Sequence, residues 1–409
     1  MAPPPRWTFH PSHPNGYRSS MRVHSPYKIE ITPSFRPVTA LDSIKITIIP
    51  YRRSLPMPET AMQAFNLPSA WKSTDYPTKD AFAIDLEPRH IEALNAEVAR
   101  FKATGGGHED MNTKTFPLSE IADDIADWRD EVHTGRGMIL LRGVPVENID
   151  LDDLRLLYLG LGSHFGRPVS QSNMGELVGE VVNIGDKDPK ERAYRSSREL
   201  MLHTDRADHI AMLCIRPAIE GGLSGYASAL NIHNIMLEER PDLLAHLYNG
   251  FHHHRFGEQP PGEPVVTRER IPIFSITDGV PSVIFIRGYI NLAVDEGHVS
   301  LSNGELEALN YMEAVSNRPD VRLNFLMEPG DLLFVNNCLI LHTRTEFEDS
   351  DDPAKRRHLM RLWLREDNRP AAEGVIIHKG KAGIEKQEGK GTYYNNDAVE
   401  TAFEVRAPR

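Results

Sequence analysis

Residues 203–216 read HTDRADHIAMLCIR and give the strongest indication of the architecture. The segment opens on a His-x-Asp pair, His203 and Asp205, and continues into the apolar run 210–215, which is short enough to be a buried strand. A strand end is a rigid place to mount two metal ligands. A second His-x-Asp pair, at 108–110, follows a run of glycines without an apolar neighbour, which is typical of a surface turn. The first pair is therefore the predicted ligand pair.

A third potential ligand, His342, stands at the end of another apolar run. A Gly-Asp turn at 330–331 precedes the predicted strand 332–341, and His342 follows directly. A lone histidine at a strand end is usually structural, but His342 would complete a set of two imidazoles and one carboxylate with His203 and Asp205. Such a set leaves coordination positions open, which is typical of non-haem Fe(II) sites that use oxygen.

The predicted strand 357–365 alternates in a way that indicates a charged pocket. A period of two places four residues on one face, namely Arg357, Leu359, Arg361 and Trp363. Two arginines that share a face with a tryptophan are unusual on a solvent-facing strand and suit a barrel interior that holds anions. Arginine also suits a bidentate grip on a carboxylate better than lysine does.

The composition is that of a globular protein. The chain has 409 residues, 40% hydrophobic and 25% charged, enough for one large domain or two smaller ones. Its net charge of -12 argues against general binding to nucleic acid or to an anionic membrane. No apolar run approaches the roughly 18 residues of a membrane span. Cys214 and Cys338 lie in apolar segments and are predicted to be buried thiols, so a reducing compartment, the cytoplasm, is favoured.

Composition divides the chain into four segments. Residues 1–56 are basic and rich in Pro and Ser, which favours a poorly packed arm; a mitochondrial transit segment and sequence upstream of a later true start are the alternatives. Residues 57–136 are predicted to form a helical connector, 137–370 the main domain and 371–409 a C-terminal tail. These boundaries follow from changes in composition and periodicity.

The order of predicted elements indicates an α+β protein. Apolar spacing predicts helices at 88–98, 152–159, 235–248 and 305–315. Further strands are predicted at 138–144, 282–290 and 359–364. Because strands and helices alternate without βαβ spacing, we expect a mainly antiparallel sheet core with helices packed outside it.

Four motifs in one order carry a resemblance to a known family. They are the pair His203 and Asp205, the segment GGLSGYAS at 221–228, the run from Asn336 to His342, and RHLMR at 357–361. From about residue 138 to residue 364 the chain resembles the TauD/TfdA group of Fe(II)- and 2-oxoglutarate-dependent dioxygenases, the taurine dioxygenase and clavaminate synthase-like branch. Its motifs most resemble those of fungal members of this group. The resemblance implies a double-stranded β-helix (jelly-roll, cupin-like) core flanked by helices.

The resemblance also implies a role for each matching residue. His203, Asp205 and His342 are the implied iron ligands, and Arg357 is the implied partner of the distal carboxylate of 2-oxoglutarate. Ser224 takes the place of a threonine that touches the same cosubstrate and keeps its hydroxyl. The implied cofactors are Fe(II), 2-oxoglutarate as cosubstrate and O2, with ascorbate as an aid in vitro, and the implied by-products are succinate and CO2.

The sequence says less about which residues contact the primary substrate. Arg361 matches an arginine that grips the acidic group of the substrate in taurine-type members; a second cosubstrate contact and a core ion pair are the alternatives. Asn337, Asn173 and Met201 are further predicted substrate contacts, with turn stabilisation as the alternative for Asn337. The implied reaction is hydroxylation, desaturation or ring closure at an unactivated C–H bond of a small carboxylate- or sulfonate-bearing molecule, an amino-acid derivative or a secondary metabolite.

The sequence leaves two other classes of function open. One is a different metal-dependent enzyme on a cupin-like barrel, and the other is a non-catalytic barrel that binds a metal or ligand. The complete ligand set together with Arg357 disfavours the second. The expected partner is a small-molecule substrate, with neither nucleic acid nor membrane, and exposed apolar pairs around 154–159 would suit a helix-mediated homodimer.

Overall fold

The computed structural model describes residues 62–147, 149–183, 196–380 and 382–388. The predicted arm at 1–56 lies outside these residues. The helices are α1 Pro88–Thr104, α2 Ala122–His133, α3 Leu151–Gly162, α4 Ala229–Glu239, α5 Pro241–Asn249, α6 Arg287–Asp295, α7 Asn303–Ser316 and α8 Glu373–Lys379. The strands are β1 Ala83–Asp85, β2 Met138–Arg142, β3 Arg167–Val169, β4 Val178–Val182, β5 Leu200–His203, β6 His209–Arg216, β7 Glu220–Gly221, β8 Ser224–Ser228, β9 Phe274–Thr277, β10 Val280–Val283, β11 Arg322–Phe325, β12 Leu332–Asn336, β13 Ile340–Arg344, β14 Phe347–Glu348 and β15 His358–Arg365.

Local chemistry explains several helix ends. Asp150 precedes α3, and its carboxylate accepts hydrogen bonds from the first free backbone N–H groups of the helix. Ser302 and Glu305 form a reciprocal capping box at the start of α7. Helix α1 ends at Gly105, whose φ of 73° is the left-handed conformation that favours glycine.

Two sheets form the centre of the fold. The major sheet has the order β1-β2-β12-β6-β15-β3, with β4 also paired to β15, and the minor sheet has the order β11-β8-β13-β5. Pairing is antiparallel apart from β1 against β2. The apolar cluster between the sheets takes Leu333, Leu359 and Trp363 from the major sheet and Tyr226 and Ile340 from the minor one. The two sheets therefore enclose a barrel interior, as the predicted jelly roll requires.

Helices cover the outer face of each sheet. The other face of the major sheet, with Phe334 and Leu362, packs on α1, α2 and α3. The apolar residues of α3 at 154, 157 and 159 are buried in this contact, so the expectation that they are exposed for a homodimer is wrong. The outer face of the minor sheet, with Leu202 and Leu341, packs on α4, α5 and α7. The fold is thus α+β with a double-stranded β-helix flanked by helices on both sides, which confirms the predicted class.

The alternation predicted for the last strand is confirmed. Leu359 and Trp363 lie in the cluster between the sheets, whereas Met360 and Leu362 lie on the helix side. Arg361 is buried on the barrel side, where its guanidinium contacts Asp205. The strand therefore carries its charged groups inward, as a barrel that holds anions would.

Three predicted elements differ from the structure. The helix at 235–248 is two helices, because Pro241 lacks the N–H that an uninterrupted helix needs. The strand predicted at 282–290 ends at Val283, and α6 follows from Arg287. The run 332–341 is two strands, β12 and β13, that belong to different sheets and are joined by a turn in which Leu339 N–H donates to Asn336 O.

The flanking segments also contribute structure. The segment predicted as a helical connector supplies α1 and α2 and also β1, which extends the major sheet at β2. The segment predicted as a tail contains α8, in which Val375, His378 and Lys379 are buried. Both cysteines are free and buried, as predicted. None of the helices in the described ranges is both long and apolar enough to cross a membrane.

Candidate metal centre

Two strands of the minor sheet bring the predicted histidines together. His342 in β13 is register-paired with His203 at the end of β5 and, on its other side, with Tyr226 of β8. The centroids of the two imidazole rings are 4.3 Å apart. Residues opposite each other in an antiparallel pair lie on the same face, so both imidazoles project to one side of the sheet.

Asp205 reaches the same point from the loop between β5 and β6. Asn337 holds this loop through three hydrogen bonds: its Oδ1 accepts from Asp205 N at 2.8 Å, and its Nδ2 donates to Asp205 O at 2.8 Å and to Ala207 O at 2.7 Å. On the other side, Thr204 N–H donates to Phe285 O and Thr204 Oγ1 accepts from Phe285 N, each at 2.9 Å. A loop fixed from both sides holds its carboxylate in one place.

The three donor groups form a compact set. Asp205 Oδ1 lies 4.0 Å from His203 Nε2, and Asp205 Oδ2 lies 3.7 Å from His342 Nε2. His203 Nδ1 is 2.8 Å from Met201 O, and a donated N–H there leaves the lone pair on Nε2. The set of two imidazoles and one carboxylate, with ligand atoms within 4.8 Å of one another, suits one Fe(II) ion with open positions.

The charge state of the set is suited to a metal. Burial opposes ionisation of Asp205, but the charge of Arg361 and other neighbouring groups outweigh it and lower the pKa of the carboxyl to about 2. Burial, followed by the neighbouring His203, lowers the pKa of His342 to about 3. At neutral pH the site therefore presents an ionised carboxylate and a neutral His342 imidazole, the forms that bind metals.

Arg361 and Trp363 are the neighbours of this carboxylate. Asp205 Oδ2 accepts hydrogen bonds from Arg361 Nη1 at 3.0 Å and from Trp363 Nε1 at 2.8 Å. Gln171, which is fully buried, accepts from Arg361 Nε at 2.8 Å and donates to Arg361 O at 2.7 Å. The structure therefore places Arg361 in an ion pair with a candidate metal ligand, one of the alternatives that the sequence left open.

Two other groups of potential ligands lie elsewhere in the described ranges. His133 and His209 approach Glu366, but their rings are stacked at 4.2 Å and 14°, so their in-plane lone pairs run nearly parallel and do not converge on one ion. His254 approaches Glu296 and His298, but His254 Nδ1 accepts from Phe256 N, which leaves the proton on the nitrogen that faces Glu296. Both groups are better explained by hydrogen bonding than by metal binding.

A buried cation lies at one end of the barrel. Arg357 is 4% exposed, and its guanidinium lies 5.1 Å from the ring centroid of Phe347. Asp349 accepts from the backbone N–H of Arg357 at 2.6 Å, yet no carboxylate in the described ranges forms an ion pair with the guanidinium. Burial lowers the pKa of Arg357 to about 10. A desolvated guanidinium of this kind favours an anion from outside the chain.

A second arginine, Arg344, shares the same aromatic ring and was not predicted. Its guanidinium lies 4.6 Å from the centroid of Phe347, donates to the carbonyl of Arg198, and leaves Nη1 buried without a partner in the described residues. Burial and the nearby charge of Arg357 lower the pKa of Arg344 to about 9. Two like charges around one ring strengthen the case for an anion site.

Ser224 lies close to these arginines. It pairs in register with Arg344 across β8 and β13, and its side chain is hydrogen-bonded to the Tyr226 hydroxyl. Burial raises the pKa of Tyr226, whereas the Ser224 hydrogen bond and the charge of Arg357 act in the opposite direction. The Tyr226 phenol therefore lies near both Ser224 and Arg357. Gly222, with a φ of +67°, approaches closely: a Cβ there would lie 3.4 Å from Arg357 Nε.

The remaining predicted substrate contacts lie in different surroundings. The Asn337 amide is occupied by the loop around Asp205. Asn173 is 2% exposed, and its Oδ1 has no partner in the described residues. Met201 is 54% exposed and lines a cavity of about 480 Å³ between β5 and the end of α7, with Glu199, Glu313 and Arg322 among the other lining residues. None of the candidate metal ligands lines that cavity.

Comparison with known proteins identifies the family of the chain. Residues 101–363 match the family described as taurine catabolism dioxygenase TauD, TfdA family. FR-33289 synthase of Streptomyces rubellomurinus is 31% identical over 287 residues, which cover 68% of this chain and 84% of that protein. The taurine hydroxylase-like protein SAT17 of Stachybotrys chartarum is 26% identical over 318 residues, which cover 73% of this chain and 79% of that protein.

Solved structures show the same fold at low identity. An asparagine oxygenase in complex with Fe(II), 3-hydroxyasparagine and succinate aligns with a TM-score of 0.56 at 16% identity, over 69% of this chain and 93% of that one. The non-haem iron oxygenase OrfP in complex with Fe and alpha-ketoglutaric acid aligns with a TM-score of 0.53 at 15% identity, over 70% of this chain and 94% of that one. By its match over 101–363, the chain belongs to the TauD, TfdA family and is a non-haem dioxygenase that uses Fe(II), 2-oxoglutarate and O2.

Proposed function

We propose that this dioxygenase oxidises an unactivated C–H bond of a small anionic molecule, with His203, Asp205 and His342 as the iron ligands. The observation that carries the assignment of residues is the convergence of these three groups in a fold that also buries Arg357 and Arg344, neither of which forms an ion pair within the described residues. The substrate class that we favour is a carboxylate- or sulfonate-bearing molecule, such as an amino-acid derivative or a secondary metabolite. The names of the relatives, which refer to taurine, asparagine and a synthase product, support this class.

His203, Asp205 and His342 would hold the metal, and the groups around them fix their positions. Fe(II), when bound, would supply open coordination positions and the redox chemistry by which 2-oxoglutarate and O2 give succinate, CO2 and an oxidised substrate. Arg361 and Trp363 keep the Asp205 carboxylate ionised and oriented, and the Met201 carbonyl orients the His203 ring. We therefore expect the ligand geometry to be largely formed before the metal binds.

The arginine pair gives the cosubstrate its orientation. We assign the distal carboxylate of 2-oxoglutarate to Arg357, with the Ser224 hydroxyl as a second donor. An arginine can donate two parallel hydrogen bonds to a carboxylate, and the apolar surroundings of Phe347 strengthen them by excluding water. A cosubstrate held at its far end can then direct its keto acid end toward the three ligands.

Substrate contacts follow from the same geometry. Arg361 is buried and already paired with Asp205, so a substrate anion at this point would be added to an existing ion pair. We propose Asn173 as a polar contact, because its buried Oδ1 needs a donor. Met201 is proposed as an exposed apolar contact at the entrance. For Asn337 we favour the alternative of loop stabilisation.

An anaerobic titration with Fe(II) and 2-oxoglutarate tests the assignment. The chelated keto acid gives a weak visible charge-transfer band, which we expect in the wild type and expect to be lost in His342→Ala. Arg357→Met should raise the half-saturating 2-oxoglutarate concentration by about 10- to 100-fold, since a hydrogen bond to a charged group contributes about 1.5–3 kcal/mol.

Arg356→Met is the matched control. Arg356 is the neighbouring arginine, is only half-buried, and donates to Ser350 O instead of facing the barrel. Its variant should keep the wild-type dependence on 2-oxoglutarate. Absence of the band in metal-replete wild type, or an equal effect of the two arginine variants, would contradict the assignment.

A further inference from the structure

A buried lysine in the C-terminal segment lies against one of the two cysteines. Lys379 is the last residue of α8 and is 2% exposed. Its Nζ donates to Asp208 Oδ1 at 2.7 Å and is 3.0 Å from Cys338 Sγ. Because the amine and the thiol are both buried and already in contact, an oxidant can join them without any movement of the chain.

Asp208 completes the group. Its Oδ1 lies 3.6 Å from Cys338 Sγ, and its Oδ2 accepts from Glu366 N at 3.0 Å and lies 3.4 Å from Arg365 Nη1. Burial opposes ionisation of this carboxyl, but the charges of Lys379 and Arg365 outweigh it and hold its pKa well below the usual range. One ionised carboxylate therefore faces both groups and holds Lys379 Nζ against Cys338 Sγ.

The group lies beside the loop that carries the candidate ligand Asp205. Cys338 follows Asn337, whose amide binds the backbone of Asp205 and Ala207. Asp208 is three residues beyond the candidate ligand Asp205. Cys338 thus has an amine as its neighbour, whereas Cys214 lies in β6 with a backbone carbonyl, Met327 O, as its contact.

We propose that Lys379 and Cys338 form an oxygen-bridged covalent link, Nζ–O–Sγ, with dioxygen as the oxidant. The Lys379 ammonium first releases one proton to solvent, which leaves a neutral amine beside the thiol. The amine, the thiol and O2 then give the N–O–S bridge and one water molecule. The O–O bond breaks, one N–H and the S–H bond break, and new N–O and O–S bonds form. Nitrogen and sulfur each lose two electrons, and O2 takes up all four.

The bridge would join two parts of the chain that meet beside the loop that carries Asp205. Lys379 ends α8, and Cys338 lies in the turn between β12 and β13 that also carries Asn337. The link would close a loop between positions 338 and 379 and so restrict the unfolded chain. It would also fasten the turn that supports the Asp205 loop, and it would add a reducible modification site to a chain with no disulfide.

Mass spectrometry and thiol counting on the full-length protein test this inference. The wild type is incubated aerobically with Fe(II) and 2-oxoglutarate without substrate, unfolded without reductant and digested. We expect one cross-linked pair of peptides, joined at Lys379 and Cys338, with a mass gain of one oxygen and a loss of two hydrogens. The free thiols of the unfolded chain should fall from two to one and return to two after dithiothreitol.

Two variants control the experiment. Cys214→Ser should still form the cross-link and lose its remaining free thiol. Lys379→Arg keeps a cation for Asp208 but not the amine, and it should form no cross-link. The inference is overturned if the wild type retains both thiols after prolonged exposure to O2, if Cys338 is recovered only as a sulfenic or sulfinic acid, or if the peptides are joined by a direct S–N bond.

Discussion

Replacement of Asn337 by alanine should release the loop that carries Asp205. Asn337 is fully buried, and its side chain makes three hydrogen bonds of 2.7–2.8 Å to the backbone of residues 205 and 207. At about 0.5–1.5 kcal/mol net for each hydrogen bond, their loss should lower the free energy of unfolding by about 3 kcal/mol. The loop also places a candidate metal ligand, so we expect Fe(II) affinity to fall by roughly 10- to 100-fold.

Two measurements test the expected losses of stability and of Fe(II) affinity. Urea unfolding of the metal-free protein gives the change in stability, and anaerobic Fe(II) titration gives the change in affinity. Asn337→Asp should be at least as damaging, because a carboxylate keeps an acceptor for Asp205 N–H but has no donor for the carbonyls of Asp205 and Ala207. A substrate-binding role without a positioning role would instead leave stability and metal affinity intact.

The neighbouring Asn336 supplies a matched control. Asn336 is 2% exposed, and its amide donates over longer distances to Val132 O and His133 O, at 3.3 and 3.4 Å. Asn336→Ala should therefore lose stability but retain Fe(II) affinity. If Asn337→Ala binds Fe(II) as the wild type does, or if the two variants weaken binding equally, the inference that Asn337 positions the ligand loop is wrong.

Three further outcomes are expected. Arg344→Met should raise the half-saturating 2-oxoglutarate concentration by about 10-fold through loss of one buried positive charge at the anion site, measured by succinate release; Arg322→Met, on the same sheet, should not. Ser224→Ala should weaken cosubstrate binding by about 5-fold, since a neutral hydrogen bond contributes about 1 kcal/mol, and Ser224→Thr should restore it. Burial lowers the pKa of His253 to about 3, so unfolding takes up a proton below pH 6.5 and stability falls as the pH falls. Between pH 7 and pH 5, the unfolding free energy measured in urea should fall by about 2 kcal/mol less in His253→Gln than in the wild type. An equal pH dependence in the two proteins would contradict this account.

Local patterns were sufficient for much of the fold. The alternation of 357–365 predicted which residues face the barrel, because side-chain direction in a strand depends only on position along the chain. The run 332–341 was predicted as one strand because apolar character does not show where the chain crosses from one sheet to another. The prediction of one strand over 282–290 was wrong for a related reason. Its apolar residues suit a buried strand and a buried helix equally, and tertiary packing selected a short strand followed by α6.

Residue types and their order along the chain were enough to indicate the family and its dioxygenase chemistry and to predict the three candidate ligands, because that chemistry resides in particular side chains. They did not show that Asn337 holds the ligand loop, that Arg361 pairs with Asp205, or that Arg344 joins Arg357 around Phe347. These relations depend on contacts between residues far apart in the chain, and such contacts form only when the two sheets assemble. Whether a buried polar group is satisfied is likewise a property of its surroundings, and the folded chain alone supplies them.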